Sequence, residues 1–148
     1  FSTVSDRRGK KEFVGRFAWK FSVIQQKWLK LPDLPGSGRM THGVACVNGK
    51  VYVLRDRGEV HCIDPKTGKS HWEDSFPRAS SSYYGSPTVA GGKLYAPRED
   101  GVILVADVRD GFRFLGESNM GERVIASPVP VAGRLFIRGE KHLFCLGG

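Results

Sequence analysis

A short block of sequence occurs twice in full and a third time in part, at a spacing of about forty residues. Gly49-Lys50-Val51-Tyr52-Val53 is followed by Gly92-Lys93-Leu94-Tyr95-Ala96 and then by Gly133-Arg134-Leu135-Phe136-Ile137. The first two blocks are 43 residues apart and the last two 41. A period of this length indicates a repeat architecture, in which each unit buries its apolar faces only against neighbouring units.

The first unit predicts four short strands joined by tight turns. Asn48-Gly49 is a typical two-residue hairpin turn. Asp64-Pro65-Lys66-Thr67-Gly68 has Asp, Pro and Gly where a tight turn requires them. The residues between these turns predict strands over 42–47, 50–55, 59–63 and 69–73. Four antiparallel strands in about forty residues are typical of one blade of a β-propeller.

The repeats therefore predict an all-β propeller with two complete blades and most of a third. The units are placed at about 41–84, 85–125 and 126–148. Residues 1–40 precede them as a basic lead-in that could be the remnant of a preceding blade closed by Trp28. Within it, residues 1–27 are either the end of a degenerate blade or a disordered basic extension. Because closed propellers usually have four to eight blades, we expect these units to belong to a larger propeller of about seven or eight.

The net charge of +8 is concentrated in the lead-in. Residues 1–40 hold nine Lys/Arg and three Asp/Glu, whereas residues 41–148 hold fourteen and twelve. A nucleic-acid partner would require a basic face on the folded repeats, and none is predicted. No apolar run is long enough for a transmembrane helix. The chain starts at Phe1 without a signal-peptide pattern, so export is not decided by the sequence itself.

A family resemblance rests on the third and fourth strands of the first unit. Cys62-x-Asp64-x-x-Thr67-Gly68-x-x-x-Trp72 resembles the tryptophan-docking motif of quinoprotein-type propellers, normally Ala-x-Asp-x-x-Thr-Gly-x-x-x-Trp. Residues 119–128 and 137–146 look like the C-terminal blades of exported bacterial propellers with pyrroloquinoline-quinone-like repeats. The resemblance covers about residues 42–148 and implies a periplasmic or otherwise extracytoplasmic location.

The motif has a clear physical purpose. A large aromatic residue on the outer strand, here Trp72, is expected to pack flat across the junction to the next blade, and a small residue opposite leaves room for it. Cys62 and Cys145 occupy the small position and are predicted to be buried, unreactive thiols. The second unit has Val105 at the small position and Leu115 at the position of Trp72, so its docking is expected to be weaker.

Enzymes of this family oxidise alcohols or aldoses. The resemblance implies a quinone held by a disulfide between adjacent cysteines, a stacking Trp and a calcium ion bound by acidic and amide side chains. This chain has three cysteines, none of them adjacent, and no matching set of calcium ligands. We therefore predict no catalytic, cofactor-binding or metal-binding residues, and pyrroloquinoline quinone is expected only by resemblance.

The remaining polar residues predict structural roles and not catalytic or metal-binding ones. The spacing of His42, His61, His71 and His142 is not that of a metal site. Ser80-Ser81-Ser82 is a loop without a nucleophile-elbow pattern. The acidic residues between strands are predicted to be turn carboxylates; they are Glu99, Asp100, Asp107 and Asp110.

Three functional hypotheses follow. The favoured one is a non-catalytic scaffold of an exported bacterial protein that binds protein or ligand partners, or the missing blades of its own chain, through blade-end loops. The second is part of a quinone-dependent alcohol or aldose dehydrogenase whose active site lies in absent blades. The third is a kelch-like adaptor, because residues 28–35 and 42–53 are similar to a kelch unit, although Arg55-Asp56 stands where kelch blades have Gly-Gly.

Overall fold

The computed structural model describes residues 18–31 and 41–147, and their regular structure is entirely antiparallel β-sheet. The lead-in residues 1–17 and 32–40 lie outside the described residues, as does Gly148. The described residues form one two-stranded, one three-stranded and two four-stranded sheets. Within these ranges there is no helix that could cross a membrane. The predicted all-β architecture of two complete blades and most of a third is confirmed.

Each sheet is a meander whose strands follow chain order. The lead-in hairpin consists of β1 (Ala18–Ser22) and β2 (Lys27–Leu31). The first blade consists of β3 (Thr41–Val47), β4 (Lys50–Arg55), β5 (Glu59–Ile63) and β6 (Ser70–Ser75). The second consists of β7 (Thr88–Ala90), β8 (Lys93–Pro97), β9 (Val102–Asp107) and β10 (Arg113–Asn119). The third consists of β11 (Val129–Val131), β12 (Arg134–Arg138) and β13 (Leu143–Leu146).

The lead-in hairpin forms a separate two-stranded antiparallel sheet. It pairs Phe21 with Trp28, as the first blade pairs Cys62 with Trp72. Trp28 is 65% exposed. The assignment of this hairpin to a preceding blade stays a prediction.

The hairpin turns that join the first two strands of each blade share one backbone conformation. In the first blade Asn48 and Gly49 have φ angles of 49° and 72°, and in the third blade Ala132 and Gly133 have 48° and 77°. Two successive positive φ angles define the type I′ turn, whose twist matches that of the flanking strands. The turns predicted from sequence are therefore present, and Ala132 adopts the left-handed conformation that glycine takes in the second blade.

The core lies between neighbouring blades. Side chains alternate along each strand, so the first blade turns Tyr52, Leu54, Val60 and Cys62 towards the second blade. They pack against the facing side chains of that blade, which are Leu94, Ala96, Leu104 and Ala106. We call this contact the first junction. The second junction joins the second and third blades and contains Ile103, Val124 and Ile137.

The equivalence between Trp72 and Leu115 predicted from the repeat is wrong by one residue. Trp72 lies opposite Cys62, whereas the residue opposite Val105 is Gly116. The register of β10 shifts between Phe114 and Gly116, and Leu115, at that bulge, is 44% exposed. The first blade has an equivalent bulge between Ser70 and Trp72, so the displacement comes from the turn. Asp107 pairs with Arg113, six residues later, whereas Asp64 bonds Lys69, five residues later. The second blade therefore has a glycine at the docking position.

The structural role predicted for the cysteines holds for one of the two. Cys62 is fully buried in the first junction, and burial raises the pKa of its thiol. Cys145 lies on the corresponding strand of the third blade but is exposed. The face of the third sheet that carries Cys145 is not covered by the described residues, so the prediction that its thiol is buried is wrong.

Candidate functional site

The two ends of the blades differ in the loops that they carry. In each four-stranded meander the turn between the first two strands and the turn between the last two lie at one end, which we call the lower end; the first turn of the third blade lies at the same end. The turns at 56–58, 98–101 and 139–142 lie at the other end together with the long connections 76–87 and 120–128. We call this the upper end.

At the lower end the turns are compact and internally bonded. In the turn at 64–69 the backbone N–H of Lys66 donates to Oδ1 of Asp64 at 2.7 Å. In the turn at 107–112 the carboxylate of Asp107 accepts the backbone N–H of Arg109 at 3.1 Å and also binds the guanidinium groups of Arg109 and Arg113. These contacts, chiefly the side chain of Arg109, hold the pKa of Asp107 far below its usual range. The carboxylates of Asp64 and Asp107 are thus bonded within their own blades.

At the upper end each connection is hydrogen-bonded to the turns of both blades that it joins. The backbone N–H of Tyr83 donates to the carbonyl of Asp56 at 3.1 Å, and that of Glu99 donates to the carbonyl of Ser82 at 2.9 Å. The same pair of bonds recurs at the second junction, from Val124 to Glu99 at 3.2 Å and from Glu140 to Arg123 at 3.0 Å. These bonds make Asp56 equivalent to Glu99, and Ser82 equivalent to Arg123.

Side chains close the upper end of the second junction. The guanidinium of Arg123 donates to Oε1 of Glu99, with Nη2 at 2.5 Å and Nε at 3.0 Å. Oε1 of Glu122 accepts the backbone N–H of His142 at 2.9 Å, and Oε2 lies 2.9 Å from Nδ1 of the same histidine. Burial acts to raise the pKa of Glu122, but the hydrogen bonds from His142 and Lys141 hold it below its usual value. Every carboxylate in this closure has a protein partner.

At the corresponding place of the first junction, the described side chains do not close the upper end. The connection at this junction has six residues between Phe76 and Tyr83, whereas three separate Met120 from Val124 at the second junction. Phe76 and Met120 are equivalent because each donates its N–H to a turn glycine, at 3.0 and 2.9 Å. A cavity of about 490 Å³ lies between the longer connection and the turn at 56–58. We call it the upper cavity.

The upper cavity is lined mainly by polar side chains. Its walls are Asp56, Arg57, Glu59, Ser75, Phe76, Arg78, Ala79, Ser80, Ser81 and Ser82. Oδ1 of Asp56 is buried and has no hydrogen-bond partner among the described residues. The equivalent carboxylate, Glu99, is paired with Arg123, but the residue equivalent to Arg123 is Ser82. The cavity therefore contains a buried acceptor, and Ser82 stands where the equivalent carboxylate has its arginine partner.

The cavity rests on an aromatic cluster that the sequence did not reveal. The ring of Phe76 is 5.1 Å from that of Phe112 in an edge-on arrangement, and 6.2 Å from that of Tyr83. Trp72 joins this cluster through tilted contacts with Tyr52 at 6.0 Å and Phe112 at 5.9 Å. Trp72 is half-buried and tilted, not flat across the junction as predicted. Phe76 and Tyr83 were missed because they lie in a connection, outside any periodic strand.

Two large apolar side chains are exposed at equivalent positions of the upper end. Tyr84 is 43% exposed and Ile125 is 54% exposed, and each follows the buried residue of its connection, Tyr83 or Val124. The repetition at both junctions indicates that the connections present one side chain inward and the next outward.

The histidines do not come together. His61 is buried with Nδ1 3.4 Å from Oε1 of Glu73, and burial, followed by the nearby Arg55, lowers its pKa. His71 is exposed and His142 binds Glu122, and the side chain of His42 lies outside the described part of the chain. Among residues 18–31 and 41–147 no group of three His, Cys, Asp or Glu could hold a metal ion.

The described residues do not fit a bound quinone. Cys46, Cys62 and Cys145 are free thiols on three different strands. They supply no adjacent-cysteine disulfide, and the residues just described supply no calcium ligands.

Two solved structures share the fold of this chain. BamB from Moraxella catarrhalis is 18% identical with a TM-score of 0.63, over 76% of this chain and 35% of that one. A europium-containing methanol dehydrogenase is 17% identical with a TM-score of 0.54, over 70% of this chain and 21% of that one. The chain thus spans a minor part of each. None of the curated proteins matches it in sequence.

A family model described as outer membrane protein assembly factor BamB matches residues 12–114. The match covers the whole lead-in hairpin, the whole first blade and most of the second. It supports the quinoprotein-type repeat over the kelch alternative. The chain therefore belongs to the family of the outer membrane protein assembly factor BamB.

Proposed function

We propose that these blades are part of a non-catalytic propeller scaffold that binds a protein partner through the upper end. The observation that supports this most is the repeated set of hydrogen bonds between connections and turns at both junctions. Such bonds hold the loops in one conformation before a partner arrives, so that less conformational entropy is lost on binding. Loops positioned by a rigid sheet are where binding residues are usually found.

The exposed side chains of the upper end suit a protein partner. Tyr84 supplies an amphipathic ring, and Tyr is among the residues enriched at interfaces. Ile125 adds apolar area on the neighbouring blade. Exposed arginines, Arg57 and Arg78, surround the upper cavity. At the lower end the carboxylates of Asp64 and Asp107 are already bonded within their own blades.

We further propose that the protein acts outside the cytoplasm of a bacterium, as its family description suggests. Membership in a family of outer membrane protein assembly factors supports a role beside other envelope proteins. The partner is then either another protein or further blades of the same chain.

The test is capture of the natural partner by tagged protein carrying Tyr84→Asp and Ile125→Asp together. We expect at least a tenfold loss of captured partner, because two charges would enter an apolar contact. Lys66→Asp, in an exposed turn of the lower end, is the matched control and should not change capture. Equal capture by all three proteins, or alcohol turnover on adding quinone and calcium, would contradict the proposal.

A further inference from the structure

We propose that the upper cavity receives an arginine side chain of the partner, which binds Asp56 as Arg123 binds Glu99 within the chain. This inference rests on the proposed function, since it names the chemistry of one contact at the upper end. It follows from comparing the two junctions of the same molecule.

The two junctions can be compared residue by residue because their backbones form equivalent hydrogen bonds. The carbonyl groups of Asp56 and Glu99 accept the equivalent hydrogen bonds, at 3.1 and 3.2 Å, from the connection that follows each blade. Side chains at these two positions therefore leave the backbone from matching places. At the second junction the guanidinium of Arg123 binds the carboxylate of Glu99. At the first junction Ser82 is too short to reach the carboxylate, and the longer connection leaves a cavity there.

The inside of the cavity has the chemistry that a guanidinium needs. Oδ1 of Asp56 is buried without a partner among the described residues, and the carboxylate of Glu59 also lines the wall. A buried carboxylate oxygen without a donor is costly, so a ligand that supplies one gains affinity. The hydroxyl groups of Ser80 and Ser81 can accept further N–H groups, and Ala79 offers apolar surface for the methylene stem.

Arginine fits better than lysine. Its planar fork carries five N–H donors and can reach a carboxylate and neighbouring hydroxyl groups together, whereas an ammonium is a point charge. The volume of about 490 Å³ is within the range of roughly 300–1,000 Å³ that is usual for sites accepting a whole ligand.

The rim of the cavity adds a second requirement. Arg57 and Arg78 line it and are exposed, and neither has a carboxylate within ion-pair distance among the residues that the structure describes. The equivalent of Arg57 in the second blade is Asp100, which pairs with Arg98 at 2.9 Å. The first blade thus has an exposed cation, Arg57, at the position where the second blade has the acidic member of an ion pair. A partner segment with an arginine next to an acidic residue could bind the carboxylate inside the cavity and an arginine of its rim at the same time.

The test uses a blocked peptide containing Arg-Glu and the same peptide with citrulline for arginine, titrated into the full chain. Citrulline keeps the shape of arginine but removes its charge. We expect the Arg-Glu peptide to bind at least tenfold more tightly than the citrulline peptide, as for a charged hydrogen bond lost. Asp56→Asn should lower the affinity for Arg-Glu by a similar factor, and Asp110→Asn, in a lower-end turn, should not change it.

A variant that supplies the arginine from within the chain keeps the test independent of folding defects. Ser82→Arg places a guanidinium where Arg123 lies at the second junction. It should abolish binding of the Arg-Glu peptide and raise the urea midpoint of unfolding. Equal binding of both peptides, or unchanged binding by Ser82→Arg, would overturn the inference. Should that happen while Tyr84→Asp with Ile125→Asp still loses the partner, the proposed function stands and only the arginine site is refuted.

Discussion

Replacing Gly101 by alanine is expected to destabilise the fold far more than the same change at its repeat equivalent, Gly58. Both glycines have φ angles near +90°, at 92° and 93°, where any side chain strains the backbone by about 1–2 kcal/mol. A Cβ at Gly101 would lie 2.1 Å from the carbonyl oxygen of Glu122, whereas at Gly58 its nearest neighbour is the Tyr83 ring at 3.1 Å. A ring can shift by a few tenths of an ångström, but a backbone carbonyl moves only with its connection.

The magnitudes follow from adding crowding to strain. Crowding a packed site costs about 1–3 kcal/mol, so we expect a total of about 2–3 kcal/mol for Gly58→Ala and about 4–5 kcal/mol for Gly101→Ala. Gly49→Ala is the control for strain alone, because its φ is 72° and nothing lies within 4 Å of the added Cβ. It should cost about 1–2 kcal/mol.

The assay is urea unfolding followed by circular dichroism, with the free energy of unfolding compared across the three variants. The expected order of destabilisation is Gly49→Ala, then Gly58→Ala, then Gly101→Ala. If Gly101→Ala loses no more stability than Gly49→Ala, the close approach of the turn to the next connection is absent, and the argument for a rigid upper end fails.

Three further outcomes are expected. Trp72→Ala should lower the free energy of unfolding by about 2–3 kcal/mol, which is less than the usual cost for a fully buried aromatic because Trp72 is half-buried. Leu115→Ala should lower it by less than about 0.5 kcal/mol, and equal losses in urea unfolding would contradict this. The free energy of unfolding should fall as the pH drops below 6.5, because burial lowers the pKa of His61 and the unfolded chain then binds a proton that the folded chain does not. His61→Gln should weaken this pH dependence when unfolding is measured at pH 7.5 and 5.5. Maleimide should label Cys145 in the folded protein and leave Cys62 unlabelled until urea is added, and simultaneous labelling would show that the first junction is not packed.

Most of the fold could be predicted from the sequence because the repeat marks the strands and turns of each blade. The turns Asn48-Gly49 and Asp64–Gly68 could be predicted because their residues are chosen by backbone conformation, which is a local property. The motif that ends at Trp72 contains the second of these turns, so the position of the first junction could also be predicted. The displacement of Leu115 could not be predicted, because one extra residue between Asp107 and Arg113 changes which residue faces the neighbour and leaves the spacing of Asp107 and Gly111 as in the first blade.

The candidate site was much less visible. Ser80-Ser81-Ser82 was interpreted only as a loop, and the three extra residues of its connection have no periodic pattern. The missing partner of Asp56 becomes apparent only when Glu99 and Arg123 are seen to pair across the second junction. Contacts between a turn and a connection depend on how blades stack, which is a tertiary property. A sequence alignment of the repeats shows which residues correspond but not which ones meet.

Site-specific photo-crosslinking in cells tests most directly whether the upper end is the binding face. A photoreactive amino acid would replace Tyr84 or Ile125 at the upper end, and Lys66 or Asp110 at the lower end. We predict that a discrete crosslinked partner forms from Tyr84 and Ile125 and not from the two lower-end positions. Crosslinking of the same partner from Lys66 or Asp110, with none from Tyr84 or Ile125, would contradict the account.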